Sequence, residues 1–220
     1  MDAIAIDGPA ASGKTVIGAE VAQRLGYRFL DTGAMYRAVT WAALQAELDI
    51  SDEAAIAVFA ETVRVELADN EREGGRVVLV DGQNATPHFR EPAVEAAVSL
   101  VARVPRVREA LVRIQRQEAA SGRIVMAGRD IGSVVLPEAR VQVYLDASRD
   151  VRARRRAEQL THAGAAADLD TLVADLARRD GIDSSREASP LTAAPEAVII
   201  NTDDLSIEEV VRRIVALAHE

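Results

Sequence analysis

A glycine loop near the N-terminus lies between an apolar strand pattern and a helix pattern. The segment fits G-x-x-x-x-G-K-[ST], follows the apolar run Ala3–Asp7 and opens a helix predicted over Thr15–Leu25. In that setting, backbone N–H groups converge on phosphate oxygens and the helix N-terminus adds partial positive charge. An ordinary glycine turn is the alternative, but the flanks and the lysine favour phosphate binding. The loop consists of Gly8, Pro9, Ala10, Ala11, Ser12, Gly13, Lys14 and Thr15.

Lys14 is the only lysine among the 26 Lys and Arg residues of the chain. A coding bias toward arginine explains the excess of guanidinium groups, yet this one position retains an ammonium. A compact charge on a flexible stem suits a phosphate held in a tight loop, where a planar guanidinium would not fit. We therefore expect Lys14 to reach the β- and γ-phosphates of ATP, and the Thr15 hydroxyl to ligate Mg²⁺.

Composition and charge exclude several classes of protein. The chain has 220 residues, enough for one sizeable domain with a small insertion. Its net charge of −9 opposes non-specific binding to polyanions, so we expect no nucleic acid polymer as a partner. Charges interrupt every hydrophobic run, no secretory signal is recognisable and cysteine is absent, so we expect no membrane association or disulfide. The expectation is a cytoplasmic enzyme, and nothing in the pattern requires more than a monomer.

Strand patterns alternate with helix patterns, which predicts an α/β fold with a parallel sheet flanked by helices. The predicted strands are Ala3–Asp7, Tyr27–Asp31, Ile124–Met126, Val141–Asp146 and a buried Val198–Asn201. Further helices are predicted over Thr32–Leu44, from Ser51 to Val63, over Pro105–Ser121, from Ser148, over Asp168–Arg179 and after a capping box of Ser206 and Glu209. Alternation in residues 63–67 and 76–80, separated by Asn70 and Gly74-Gly75, predicts a β-hairpin insertion.

Arginine recurs in or near the first turn of predicted helices, where the helix dipole disfavours cations. The residues are Arg37, then Arg106 and Arg108, then Arg152, Arg154, Arg155 and Arg156. Phosphates brought to these helix ends would offset the penalty, so the pattern indicates a second anionic substrate. Solvated faces with acidic neighbours such as Glu109 and Asp150 are the alternative.

Six stretches spread over nearly the whole chain resemble those of the bacterial cytidylate kinases. They are residues 4–9, 29–37, 105–111, 128–132, 183–186 and 205–209. The two most specific are Asp31-Thr32-Gly33-Ala34-Met35-Tyr36-Arg37 and Gly128-Arg129-Asp130-Ile131-Gly132. The second stretch follows a predicted strand of the parallel sheet, where ligands bind, although a structural Arg–Asp pair is the alternative.

The resemblance implies a P-loop NTPase-type fold and transfer of the γ-phosphoryl group of ATP to CMP or dCMP. It implies a single kinase domain over residues 1–220, with a core of 1–62, 98–148 and 167–220. A small β-containing insertion at about 63–97 would close over the nucleoside monophosphate (NMP), and a short lid would lie at about 149–166.

Motif matches with this family also imply roles for individual residues. Ser99, Arg108 and Asp130 would recognise the cytosine edge, and Arg179 and Asp183 would hold the sugar. Thr32 and Tyr36 would belong to the same CMP site, where Arg37, Arg129 and Arg186 would hold the acceptor phosphate. Lys14 and Arg129 would act in catalysis together with Arg155 and Arg156, which would approach the transferring group from the lid.

Ala127 departs from the family pattern, because many members have a carboxylate just before Gly-Arg-Asp that could help to position Mg²⁺. Thr15 is then the expected protein ligand of the metal. A regulatory GTPase is excluded, since its Asn-Lys-x-Asp motif needs a second lysine. Another small-substrate kinase, acting on UMP, AMP or a metabolite hydroxyl, stays open, although the set Arg37, Arg129 and Arg186 favours a phosphate acceptor. A purely binding role leaves the arginine placement unexplained.

Overall fold

The computed structural model describes residues 1–69 and 76–219. Its strands are β1 Ala3–Asp7, β2 Arg28–Asp31, β3 Val65–Asp69, β4 Arg76–Val80, β5 Gln83–Asn84, β6 Ile124–Gly128, β7 Val141–Asp146 and β8 Val198–Asn201. Its α-helices are α1 Lys14–Leu25, α2 Thr32–Gln45, α3 Glu53–Thr62, α4 Pro92–Arg103, α5 Pro105–Ala120, α6 Arg149–His162, α7 Leu169–Ser185 and α8 Ile207–His219. None of the helices in this part of the chain is long and apolar enough to cross a membrane.

A five-stranded sheet in the order β2-β6-β1-β7-β8 forms the centre of the fold. Strand β1 pairs in parallel with β6 and β7, and β7 pairs in parallel with β8. All five residues of β1 and of β6 are buried, as expected for central strands of a covered parallel sheet. The α/β fold with a parallel sheet flanked by helices is therefore confirmed. The loops that follow these strands lie at their carboxyl ends, where such sheets bind ligands.

The chain divides into two compact units, residues 1–30 with 118–220 and residues 31–117. In the first unit, Ile6, Val125, Val143, Ile17 and Ile214 belong to one buried apolar cluster that joins the sheet to α1 and α8. Ser206 and Glu209 begin α8 with the predicted capping box, because each side chain accepts a backbone N–H of the other residue. The apolar face of α8 is thereby aligned on the sheet.

The second unit contains the predicted hairpin. Strands β3 and β4 pair antiparallel, with Val65 opposite Val80 and Asp69 opposite Arg76, and β5 pairs with β4. Asn70 and Gly74-Gly75, the predicted turn, lie outside the described residues. Residues 63–97, the predicted NMP-binding insertion, fall within this unit. The division into core, insertion and lid stays a prediction.

Three sequence-based predictions about secondary structure are wrong, and one helix was not predicted. Helix α4 has no predicted counterpart, and α3 begins at Glu53 because Asp52, rather than Ser51, accepts the N–H groups of Ala54 and Ala55. Helix α7 runs six residues beyond Arg179 to Ser185, where the ion pair of Asp183 with Arg129 offsets the low helix propensity of Gly181. Strand β8 is an edge strand whose Val198 and Ile199 are exposed, so it is not buried.

Candidate active site

The glycine loop has a backbone that its glycines make possible. Gly8 has φ +148°, and a Cβ there would lie 2.2 Å from the Leu145 carbonyl oxygen of β7. Gly13 has φ +95° and precedes α1 without any side-chain cap on the helix N-terminus. A helix start that no side chain caps, next to a loop packed against β7, has backbone N–H groups suited to an anion.

Lys14 lies folded over this loop. Its Nζ donates to the Pro9 carbonyl at 2.6 Å and to Ser12 Oγ at 3.3 Å, and only 8% of the residue is exposed. Thr15, in the first turn of α1, is exposed. The ammonium is therefore already directed into the loop, whereas the hydroxyl-bearing side chain beside it faces solvent.

Asp7, the last residue of β1, holds the loop that follows β6. Its two carboxylate oxygens accept the backbone N–H groups of Ile131 at 2.7 Å and Gly132 at 2.8 Å. Burial raises the pKa of Asp7 to about 6, even though these two hydrogen bonds favour the ionised form. The nearby charge of Asp130 raises this pKa further and that of Lys14 lowers it. Asp7 thus ties Gly128–Gly132 to the strand that leads into the glycine loop.

Arg129 and Asp130, in that same loop, belong to a buried cluster of charges with α7. Arg129 donates from Nε to Asp183 at 2.9 Å and from Nη1 to the Gly8 carbonyl at 3.2 Å. Arg186 lies 3.9 Å from Asp130 and 4.0 Å from Asp183, and all three side chains are at most 6% exposed. Four predicted acceptor-site residues are thereby brought together beside the predicted ATP loop.

Arg179, Arg155 and Arg156 lie on the helices of the first unit. Arg179 is buried on α7. Arg155 donates to Thr202 Oγ1 at 3.0 Å and to its carbonyl at 2.6 Å, next to the end of β8. Arg156 is half-buried on α6 and donates to Gln159. The expected approach of Arg155 and Arg156 to a transferring phosphate stays a prediction.

The second unit holds the other predicted CMP residues. The Arg108 guanidinium lies 5.2 Å above the Tyr36 ring, and its Nη1 donates to the Ala102 carbonyl. Arg37 folds back over the first turn of α2, since a Cβ on Gly33 would meet its Nη1 at 2.9 Å. Thr32 on α2 and Ser99 on α4 are buried, at 3% and 4% exposure.

Arg106, one of the arginines near a predicted helix start, is exposed and pairs with Glu109 and Glu61, as the solvated-face alternative expects.

Ala127 is buried in β6 and lies opposite Ile6 in the sheet register. A carboxylate at that position would have to leave water for the interior of the sheet, which costs free energy unless it is paired.

Sequence reasoning did not predict the pairing of two residues beside the glycine loop. Arg152 and Asp180 form a buried ion pair, and Arg152 also donates to the Ala10 carbonyl of the glycine loop. In the sequence Arg152 is one of several arginines in a row, and nothing there separates it from its neighbours.

Known proteins of one family resemble this chain over almost its full length. The sequence model of the cytidylate kinase family matches residues 4–220. The chain is 49% identical to the cytidylate kinase of Geobacillus kaustophilus (strain HTA426), over 99% of this chain and 96% of that protein. It is 48% identical to the cytidylate kinase of Geobacillus sp. (strain WCH70), with the same coverage of both chains.

A solved gluconokinase from Sinorhizobium meliloti 1021 shares the fold, with a TM-score of 0.51 and 14% identity over 99% of this chain and 91% of that one. The solved structure supports the fold alone. The family match and the two relatives, which cover almost the full length, identify the family as well. This chain belongs to the cytidylate kinase family.

Proposed function

We propose that the glycine loop binds ATP and that the charge cluster beside it holds CMP or dCMP. As a member of the cytidylate kinase family, the chain transfers the γ-phosphoryl group of ATP to CMP or dCMP, which gives ADP and CDP or dCDP. The observation that carries the site assignment is Arg129, which donates to Gly8 of the loop and to Asp183 of the cluster. One guanidinium thus spans the two substrate positions that a phosphoryl transfer requires.

Phosphoryl transfer from ATP to CMP requires alignment of two anionic substrates more than it requires a general base. An acceptor phosphate oxygen is already anionic, so it can form a bond to the γ-phosphorus as the bond to the ADP leaving oxygen breaks. Lys14 and Arg129, which both contact the glycine loop, would balance the negative charge on the transferring group, and Arg155 and Arg156 would join them from α6. Positioning by several cations at once supplies most of the rate enhancement in such reactions.

Residues around the acceptor would give specificity for cytosine. Asp130 and Ser99 offer acceptor and donor atoms for the cytosine edge, and Arg108 is held near Tyr36 by its contact with that ring. Asp183 and Arg179 would bind the sugar, while Arg37, Arg129 and Arg186 would bind the phosphate. Thr32 and Tyr36 complete the proposed CMP site.

Mg²⁺ is proposed as the metal that accompanies ATP. The hydroxyl of Thr15, an exposed residue in the first turn of α1 next to Lys14, is the protein ligand that fits it. A bound Mg²⁺ supplies charge neutralisation on the phosphates. We further propose that the protein acts as a cytoplasmic monomer.

A coupled assay of ADP release with a panel of nucleoside monophosphates tests the proposal. CMP and dCMP are expected to be used well ahead of UMP, AMP and GMP. Asp130→Ala is expected to erode this preference, because it removes a carboxylate from the proposed base site. A flat or AMP-dominated profile for the unmodified protein would overturn the proposed specificity.

A further inference from the structure

A buried arginine outside the residues assigned above connects the glycine loop to two helices. Arg152, the fourth residue of α6, donates from Nε to the Ala147 carbonyl at 3.0 Å and from Nη1 to the Ala10 carbonyl at 3.1 Å. The same guanidinium contacts both carboxylate oxygens of Asp180 on α7, at 3.2 and 2.7 Å. These four contacts fix the plane of the Arg152 guanidinium. One acceptor lies in the glycine loop, one lies just before α6, and two lie on Asp180 of α7.

Solvent is largely excluded from the pair. The side chains of Arg152 and Asp180 are 6% and 17% exposed. A bidentate contact between guanidinium and carboxylate restricts orientation more strongly than a single hydrogen bond. Apolar contacts surround the same point, because Ala10 packs with Ala153 of α6 and Leu176 of α7. Ala10 is therefore held by its carbonyl and by its methyl group.

The peptide between Ala10 and Ala11 is the part of the loop that this arrangement controls. Ala11 has φ +59°, a left-handed conformation that costs free energy for any residue except glycine. Such a conformation persists only where the surroundings impose it. In a planar trans peptide the C=O and N–H bonds point in opposite directions. A carbonyl held toward Arg152 therefore directs the Ala11 N–H to the other side of the peptide.

We propose that Arg152 and Asp180 are positioning residues for ATP. They hold the Ala10–Ala11 peptide so that the Ala11 N–H faces the bound triphosphate, and they make ATP affinity depend on the packing of α6 against α7. The proposal rests on the proposed function, because it takes Gly8–Thr15 as the ATP site. Neither residue touches the substrate in this mechanism, so both act through the loop backbone.

The test is Asp180→Asn, which keeps the size of the side chain and removes its charge. The chain offers a matched control in Asp175→Asn on the same helix, where Asp175 pairs with Arg178 at 2.7 Å but about 40% of each side chain is exposed. ATP binding without acceptor is measured by calorimetry, KM for ATP and for CMP by the coupled assay, and Tm by thermal unfolding.

We expect Asp180→Asn to raise the Kd and KM for ATP by about tenfold to a hundredfold, the range seen when a supporting group shifts a substrate-positioning element. KM for CMP should change less than twofold, and Asp175→Asn should leave all three constants unchanged. Arg152→Lys retains one donor for the Ala10 carbonyl but loses the fork. Arg152→Lys should therefore raise the Kd and KM for ATP less than Arg152→Met does.

A lower Tm with unchanged ATP constants in Asp180→Asn and Arg152→Met would show a role in stability alone and overturn the proposal. Equal loss of ATP and CMP affinity would overturn it too. If Asp180→Asn fails to fold, the Kd and KM for ATP and the KM for CMP of Arg152→Lys, compared with those of the unmodified protein, test the proposal instead. An unmodified protein that does not turn over ATP with CMP would instead refute the proposed function, whereas normal turnover with unaffected variants refutes only the positioning role.

Discussion

Arg129 and Asp183 form an ion pair across two separate segments of the chain, with Nε 2.9 Å from the carboxylate oxygen Oδ2. The Asp183 side chain is 6% exposed, so the pair lies in a region from which water is largely excluded. Arg129 also reaches the Gly8 carbonyl, so its orientation links the loop after β6 to the glycine loop. The position of a residue proposed for catalysis therefore depends on a carboxylate 54 residues away in the sequence.

Asp183→Asn should weaken CMP binding. The substitution leaves the Arg129 guanidinium without its charged partner, and a hydrogen bond to a charged group contributes about 1.5–3 kcal/mol. We expect KM for CMP to rise by about tenfold to a hundredfold, with KM for ATP changed much less. Steady-state kinetics with each substrate varied in turn measures both constants. An increase confined to ATP would contradict the assignment of Asp183 to the acceptor site.

Lys14→Ala should lower turnover far more than stability. The ammonium is the one side-chain amine in the loop, and removal of a single preorganised donor to a reacting group costs about a hundredfold to a thousandfold in kcat. Lys14→Arg is the matched variant, because it retains the charge but places a planar fork in a tight loop. It should not restore activity. Loss of affinity alone, with kcat unchanged, would show that Lys14 does not act on the transferring phosphate.

Asp7 should make the free energy of unfolding depend on pH in a defined direction. Its pKa is about 6 in the folded protein, against an ordinary aspartate pKa of 3.8. Between these values the folded state holds a proton that the unfolded state has lost, so stability decreases as pH rises through 6. Relative to Asp7→Asn, the unmodified protein should lose about 2 kcal/mol between pH 4 and pH 7.

Chemical denaturation of both proteins at several pH values measures this difference. The constant cost of the asparagine, which places an amide group where a backbone N–H was accepted, cancels in the slope. A difference in unfolding free energy that does not vary with pH would mean that folding leaves the pKa of Asp7 unchanged.

Gly8→Ala should prevent correct folding of the loop. A methyl group would lie 2.2 Å from the Leu145 carbonyl oxygen, on a backbone with φ +148°. Strained backbone and overpacking together should cost more than about 3 kcal/mol. Gly26→Ala is the control, because Gly26 also has a positive φ, +65°, but nothing lies within 4 Å of the added Cβ. It should cost only about 1–2 kcal/mol, as measured by thermal unfolding. Equal effects at the two glycines would contradict the steric explanation.

Features encoded locally were the ones that the sequence predicted well. The glycine loop, the capping box before α8 and strands β1 and β7 depend on neighbouring residues, and each is found where the pattern places it. Helix α4 is an exception, because Pro92 at its start and the spacing of Val94, Ala97 and Val101 are a local helix signal that was overlooked when residues 63–97 were assigned to a β-containing insertion. The extension of α7 past Gly181 depends on the contact of Asp183 with Arg129, which no local propensity reports.

Local sequence also fails to show which charged residues are buried. The run from Arg152 to Arg156 contains four arginines of equal propensity, yet the structure buries Arg152 and leaves Arg154 exposed. Their difference arises from Asp180, which α7 brings next to α6. A single sequence does not show which residues come into contact through the packing of distant segments. It does show a motif whose residues are contiguous.

The single lysine gives the protein an unusual chemical property. Every other basic side chain of the chain is arginine or histidine, and the one side-chain amine lies with its Nζ 2.6 Å from the Pro9 carbonyl inside the phosphate-binding loop. Apart from the N-terminal amine, a reagent that acylates amines has one target in the molecule, the side chain of Lys14, and a protease specific for lysine has one peptide bond to cleave. Labelling at that amine thus monitors occupancy of the loop directly, without an engineered probe.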